Sequence, residues 1–152
     1  EAIRAEGGTV DKYIGDAIMA FWGAPSPHPD PAFAACAAAL ACQQRLEALR
    51  TQWEREGKPA FHARIGLNTG EMLVGNLGSP TRLDYTVLGE EAQVAEQLEA
   101  LNKQYGTEIF IGEATHRAVE GRVQARFVAK AELEGGRQEA VYELLGIVRG
   151  QG

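Results

Sequence analysis

Asp16 sits where two apolar-alternating runs meet, within Gly-Gly-Thr-Val-Asp-Lys-Tyr-Ile-Gly-Asp-Ala-Ile-Met-Ala-Phe-Trp-Gly, residues 7 to 23. Val10, Tyr13 and Ile14 before it, and Ile18, Ala20 and Trp22 after it, fit two strands, and a Gly15-Asp16 junction between such runs signals a short hairpin. A carboxylate at a hairpin tip can face a metal ion while its backbone stays in the sheet. A solvated turn aspartate has the same local sequence. Lys12, four residues earlier, shares a strand face with Asp16; taken alone, it reads as a solvated strand lysine.

The rest of the chain must supply the elements that hold such a tip. Residues 24 to 31, Ala-Pro-Ser-Pro-His-Pro-Asp-Pro, form an irregular connector, because four prolines remove donors and push their predecessors out of the helical region. From Ala32 to about Arg55, the spacing of Ala39, Cys42, Leu46, Leu49 and Trp53 predicts one face of a long amphipathic helix, expected to cover the sheet; a seam for a partner helix has the same pattern. Strands are predicted at about 61 to 67, 71 to 76 and 84 to 88, with Gly89 ending the last. A helix from Glu90 to Tyr105 carries Val94, Leu98, Leu101 and Tyr105 on one side, and Glu90, Gln93 and Gln97 on another. A strand at 108 to 111, a short helix at 113 to 119 and strands near 123 to 133 and 139 to 145 complete the order. Hairpins interleaved with helices predict an α+β sandwich, helices packed on a mostly antiparallel sheet.

The 152 residues make one domain, 45% hydrophobic and 24% charged. A net charge of -6 argues against a general nucleic-acid surface, which needs a concentrated excess of Lys and Arg. No run approaches the roughly 18 apolar residues of a membrane span, and the start lacks a signal-peptide pattern, so the chain reads as soluble and cytoplasmic. Cys36 and Cys42 fall in one predicted helix with Cα atoms roughly 9 Å apart, beyond disulfide reach, and they form no zinc pattern.

The hairpin of residues 7 to 23 resembles the signature hairpin of class III adenylyl and guanylyl cyclases, and two further stretches agree. Residues 61 to 78, Phe-His-Ala-Arg-Ile-Gly-Leu-Asn-Thr-Gly-Glu-Met-Leu-Val-Gly-Asn-Leu-Gly, resemble the family's next strand pair. Residues 84 to 106, from Asp-Tyr-Thr-Val-Leu-Gly through Glu-Glu-Ala-Gln-Val-Ala-Glu-Gln-Leu to Tyr-Gly, resemble its strand, tight glycine turn and catalytic helix. The resemblance runs from about residue 7 to 146, is greatest to the bacterial adenylyl cyclase subgroup, and implies a ferredoxin-like core. It also implies that the family's first strand and first helices precede this sequence, which then reads as a truncated form unless another chain or an alternative pairing fills the gap.

The resemblance implies chemistry at particular positions. Asp16 corresponds to the second of two metal-binding carboxylates, for Mg2+ or Mn2+; the first belongs to the strand ahead of residue 7. A lone Asp should hold such a metal weakly. Lys12 corresponds to the lysine that reads adenine and Thr86 to its partner in base selection, which favours ATP. Arg64 corresponds to an arginine on the nucleotide phosphates, a task suited to a permanently charged fork of donors; an exposed strand arginine beside a carboxylate is the competing reading. Active members place Asn and Arg one helical turn apart, where this chain has Gln93 and Gln97. Aligned on Val141-Tyr142, a phosphate-approaching lysine becomes Gly135, with Glu134 beside it and Arg137 as the neighbouring cation expected to compensate in part.

Family active sites form across a head-to-tail dimer, so a homodimer, or a heterodimer with another cyclase domain, is implied. The expected function is ATP to cAMP and pyrophosphate by a two-metal intramolecular phosphoryl transfer, impaired by Gln93, Gln97 and Gly135. The alternative is a degenerate cyclase domain serving as a nucleotide-sensing or dimerisation module.

Overall fold

The computed structural model describes residues 3, 6, 8–14, 17–22, 29–58, 63–70, 73–76, 85–88 and 90–148. Its elements are β1 (Thr9–Ile14), β2 (Ala17–Phe21), α1 (Pro31–Arg55), β3 (Ile65–Leu67), β4 (Leu73–Asn76), β5 (Tyr85–Leu88), α2 (Glu90–Tyr105), β6 (Ile109–Ile111), α3 (Glu113–Val119), β7 (Val123–Glu132) and β8 (Gln138–Ile147).

A four-stranded sheet in the order β3-β6-β8-β7 forms the centre. β3 and β6 run parallel, and the β6–β8 and β7–β8 pairs are antiparallel. Strand β6, Ile-Phe-Ile, is buried on both faces, and its alternation divides the core. Ile109 and Ile111 join Ala32, Cys36, Ala39, Val119, Val123 and Leu144 in a cluster with α1 and α3. Phe110 turns the other way, to Val94 and Leu98 of α2 and to Ala131, Leu133 and Val141. Each fully buried Val, Leu or Phe contributes about 1.5–3 kcal/mol as an upper figure, so α2 is held chiefly by Val94 and Leu98.

α1 starts at Pro31, whose missing N–H costs nothing at the first helical position. Its buried residues are Ala32, Ala34, Cys36, Ala38, Ala39 and Gln43. Small side chains let the N-terminal half lie close on the sheet, so the stripe predicted from Ala39 to Trp53 is corrected. Of those five only Ala39 is buried; Leu49 is exposed, and Cys42, Leu46 and Trp53 are half-buried.

α2 carries Glu90 and Glu91 in its first turn and Lys103 in its last, the charge order its dipole favours. It runs antiparallel to β3: Asn68, just past β3, donates to the Glu91 carbonyl at 2.8 Å, and Asn102 donates to the Ile65 carbonyl at 2.9 Å. Between these ends the two backbones nearly touch at Gly66. A Cβ there would lie 2.3 Å from the Ala95 carbonyl oxygen and 2.3 Å from the Glu99 nitrogen.

β1 and β2 form their own antiparallel pair, with Lys12 opposite Met19, and β4 and β5 form another, with Thr86 opposite Gly75. The expected strand pair within residues 61 to 78 is therefore corrected. β3 joins the central sheet through β6, whereas β4 pairs with β5. Both cysteines are free, as their spacing predicts. Among the described residues no helix is long and apolar enough to cross a membrane.

Candidate functional site

The turn between β7 and β8 packs against the N-terminal half of α2. Buried Leu133 anchors the turn, and its N–H donates to the Arg137 carbonyl at 2.7 Å, closing the loop. Gly135 and Gly136 have φ of 81° and 82°, the left-handed region that glycine enters without penalty. Gln97 reaches this turn from α2. Its Oε1 accepts the N–H of Glu134 at 2.8 Å, and its Nε2 approaches the Gln93 carbonyl at 3.4 Å. Gln93 is exposed one helical turn earlier. The three positions expected to differ from active cyclases, Gln93, Gln97 and Gly135, thus belong to one surface.

Next to that surface lies a chain of charges. Arg137 donates to both carboxylate oxygens of Glu91, through Nη1 to Oε1 and through Nη2 to Oε2 at 3.3 Å. Its Nε and Nη2 donate to Glu139 Oε1 at 3.3 and 3.2 Å, and Nη1 reaches Glu90 Oε1 at 3.5 Å. Glu139 is only 4% exposed, and its other oxygen accepts the Glu113 N–H of α3 at 2.8 Å. Glu91 Oε2 also accepts from Asn68 Nδ2 at 2.8 Å. The Arg137 hydrogen bonds hold the Glu91 carboxyl below the ordinary carboxylate range; burial opposes this and Asn68 assists it. The same pairing raises Arg137 further above the usual guanidinium value. Arg137, expected to make up in part for the lysine position, has its charge directed into these three carboxylates, which corrects that expectation.

Arg64 is exposed, immediately ahead of β3 and beside the C-terminal end of α2, where it shares a shallow cavity with Asn102, Lys103 and Glu108. The rise from Gln97 to Lys103 is about 9 Å, so Arg64 is not brought to the glutamine surface of the same chain. Lys12 lies in β1 and Thr86 in β5, two strands of different sheets that come into contact. Asp16 falls outside the described residues. Among the described residues no three His, Cys, Asp or Glu side chains converge as a metal site would require. Sequence reasoning missed the clamp of Glu91, Arg137 and Glu139. Its signal was an acidic pair opening a helix and an Arg two residues ahead of a Glu where the turn enters a strand.

Comparison with known proteins accords with this geometry. Residues 4–146 match the family model for the adenylate and guanylate cyclase catalytic domain. The chain is 37% identical over 151 residues to Adenylate cyclase 1 of Rhizobium meliloti (strain 1021), an alignment covering 98% of this chain and 23% of that protein. It therefore spans about a quarter of the length of that protein and of the adenylate cyclase of Anabaena cylindrica, which it also matches. Among solved structures it is similar to the adenylyl cyclase CyaB from P. aeruginosa, with a TM-score of 0.85, 31% identity, and 99% and 78% of the two chains covered. The guanylyl cyclase Cya2 gives a TM-score of 0.83 and 31% identity, with 99% and 76% covered. With a matching order of strands and helices, a family match across nearly the whole sequence and adenylyl relatives above 30% identity, the chain belongs to the class III adenylyl and guanylyl cyclase catalytic domains.

Proposed function

We propose that this chain is an adenylyl cyclase-type domain that binds ATP at a dimer interface and, paired with itself, converts it to cAMP and pyrophosphate only weakly. One observation carries the reading. The wall formed by α2 and the β7–β8 turn presents Gln93, Gln97 and Glu134, while Arg137, the cation beside it among the described residues, is bound by Glu90, Glu91 and Glu139. Charge accumulates on phosphate oxygens as the 3'-hydroxyl attacks the α-phosphorus, and a wall without a free cation cannot offset it. Loss of one preorganised donor of that kind costs about 10²–10³ in rate.

The distance between Arg64 and Gln97 supports a composite site, in which one subunit supplies Arg64 and Asp16 and the other supplies Lys12, Thr86 and the glutamine face. Adenine is favoured by the Lys12 and Thr86 pair, on neighbouring strands. The family works with divalent metal ions; Asp16 is the residue of this chain that would hold one, and such an ion would supply Lewis-acid stabilisation of charge on the phosphate oxygens. A heterodimer with an intact cyclase domain would restore one of its two sites. The second reading, a nucleotide-sensing or dimerisation module, is favoured by the same wall, because Gln97 already satisfies the turn's Glu134 N–H.

The test measures cAMP formation and ATP binding, with Mg2+ or Mn2+, in the full-length protein carrying this domain and in a Gln93→Asn, Gln97→Arg, Glu134→Lys variant. Lysine is placed at 134 because φ of 81° at Gly135 would strain any side chain there. A gain of at least about 10²-fold in the variant is expected. Equal turnover by both proteins refutes the impairment, and ATP binding without product from either favours the sensing module.

A further inference from the structure

Arg137 makes five hydrogen bonds, one from Nε and two each from Nη1 and Nη2, to the carboxylates of Glu90, Glu91 and Glu139. A guanidinium has five N–H groups, so this fork is saturated. Three carboxylates against one cation also leave no positive surplus for a phosphate. The partners come from different elements: Glu90 and Glu91 open α2, whereas Glu139 lies in β8 and accepts the first N–H of α3. Glu91 extends the chain to Asn68 behind β3, where Thr69 and Thr115 share a 2.7 Å hydroxyl contact.

We propose that Arg137 is a positioning residue, a clamp that fixes the β7–β8 turn against the first turn of α2 and so sets where Glu134 meets Gln97. The clamp stands on geometry alone; only its effect on nucleotide affinity rests on the ATP-binding reading above. Two features favour the clamp over a direct phosphate contact. Glu139 is buried and must keep its donors, which ties the guanidinium inward. The turn has its own closing bond from Leu133 N–H to the Arg137 carbonyl, so movement of Arg137 is movement of the turn.

Lysine separates the two roles, because it keeps the charge yet offers a point rather than a fork. Amide hydrogen exchange at Leu133 and Glu134 would be followed in the wild type, Arg137→Lys, Arg137→Gln, Glu91→Gln and the Arg137→Gln, Glu91→Gln double variant. Affinity for a fluorescent N-methylanthraniloyl ATP would be measured on the same proteins. A clamp predicts about tenfold faster exchange in both Arg137 variants, a comparable rise in Glu91→Gln, and little further change in the double variant. It also predicts that lysine and glutamine at 137 weaken the ATP analogue alike. Unchanged exchange at Leu133 and Glu134 in the two Arg137 variants overturns the proposal, as does a lysine that retains the affinity glutamine loses. A wild type that binds no analogue defeats the ATP-binding reading instead, and the exchange rates still decide the clamp.

Discussion

Gly66→Ala tests the closest contact in the fold, and with it the placement of the glutamine surface. The new Cβ would sit 2.3 Å from two backbone atoms of α2, the Ala95 carbonyl oxygen and the Glu99 nitrogen, where an ordinary contact begins at 3.4 Å. Neither atom can rotate aside as a side chain would, so α2 must retreat from β3 by about 1 Å. That retreat loosens Val94 and Leu98 from Phe110 and Val141, and a gap of that size forfeits about a quarter to a half of each contact's dispersion energy. The expected cost is about 3 kcal/mol, the upper part of the range for overpacked sites. For a chain of this length it corresponds to a Tm lower by about 6–12 °C. Urea unfolding followed by far-UV circular dichroism, with the m-value checked for constancy, would measure it. A loss under about 0.5 kcal/mol would refute the close approach of α2 to β3, since surface substitutions alone produce changes that small. The shift also moves Gln93 and Gln97, and in the Gln93→Asn, Gln97→Arg, Glu134→Lys background a displacement near 1 Å should cost about 10²-fold in cyclisation.

Acid titration probes the clamp. Arg137 and Asn68 hold the Glu91 pKa below its ordinary value, so the stabilisation is fully present above about pH 4.3 and is lost as pH falls through the lowered folded-state value. Urea midpoints between about pH 2 and about pH 6 should fall less steeply in Glu91→Gln than in the wild type, and equal slopes would contradict the pairing. The cysteines offer a second reading of burial. Cys36 is 0% exposed and its thiol is pushed up to about 12, chiefly by desolvation; Cys42 is half-buried and raised for the same first reason. Thiol labelling at about pH 8 should modify Cys42 first and reach Cys36 only on unfolding, and labelling of both at one rate would disprove the α1 packing.

The long, periodic elements were legible because their patterns are local. Glu90–Tyr105 and Glu113–Val119 have the predicted bounds, and β1 and β2 pair antiparallel where the two runs predict strands. What failed depends on partners distant in sequence. The stripe from Ala39 to Trp53 has helical spacing, but which turns of a 25-residue helix meet a sheet depends on where the sheet ends, and burial stops at Gln43. β3 and β4 are consecutive, and only the tertiary arrangement sends one to β6 and the other to β5. At the site, the resemblance named Gln93, Gln97 and Gly135, and the fold brings their elements together. Arg137 could not be assigned from sequence, because a cation near the expected lysine position reads as compensation until the carboxylates of α2 and β8 are seen around it.

The polar surface of Gln93, Gln97 and Glu134 is separable from the scaffold beneath it. Gln93 and Glu134 are exposed and Gln97 is half-buried, whereas the residues that set their positions, Val94, Leu98, Phe110, Leu133 and Val141, are buried and apolar. Exchanging the polar set therefore disturbs no core contact. Gln97→Arg loses the acceptor of the Glu134 N–H, which arginine cannot replace, whereas the long Gln97 Nε2 contact with the Gln93 carbonyl is one that a guanidinium can still donate. That N–H lies on an exposed turn where water can substitute, so the net cost is about 1 kcal/mol or less. Substitutions within this polar set change the charge of the wall and leave its shape intact. Charge and shape can then be tested apart: Gln97→Arg with Glu134→Lys restores the first, and Gly66→Ala disturbs the second. Turnover should follow both, whereas folding stability should respond strongly only to Gly66→Ala.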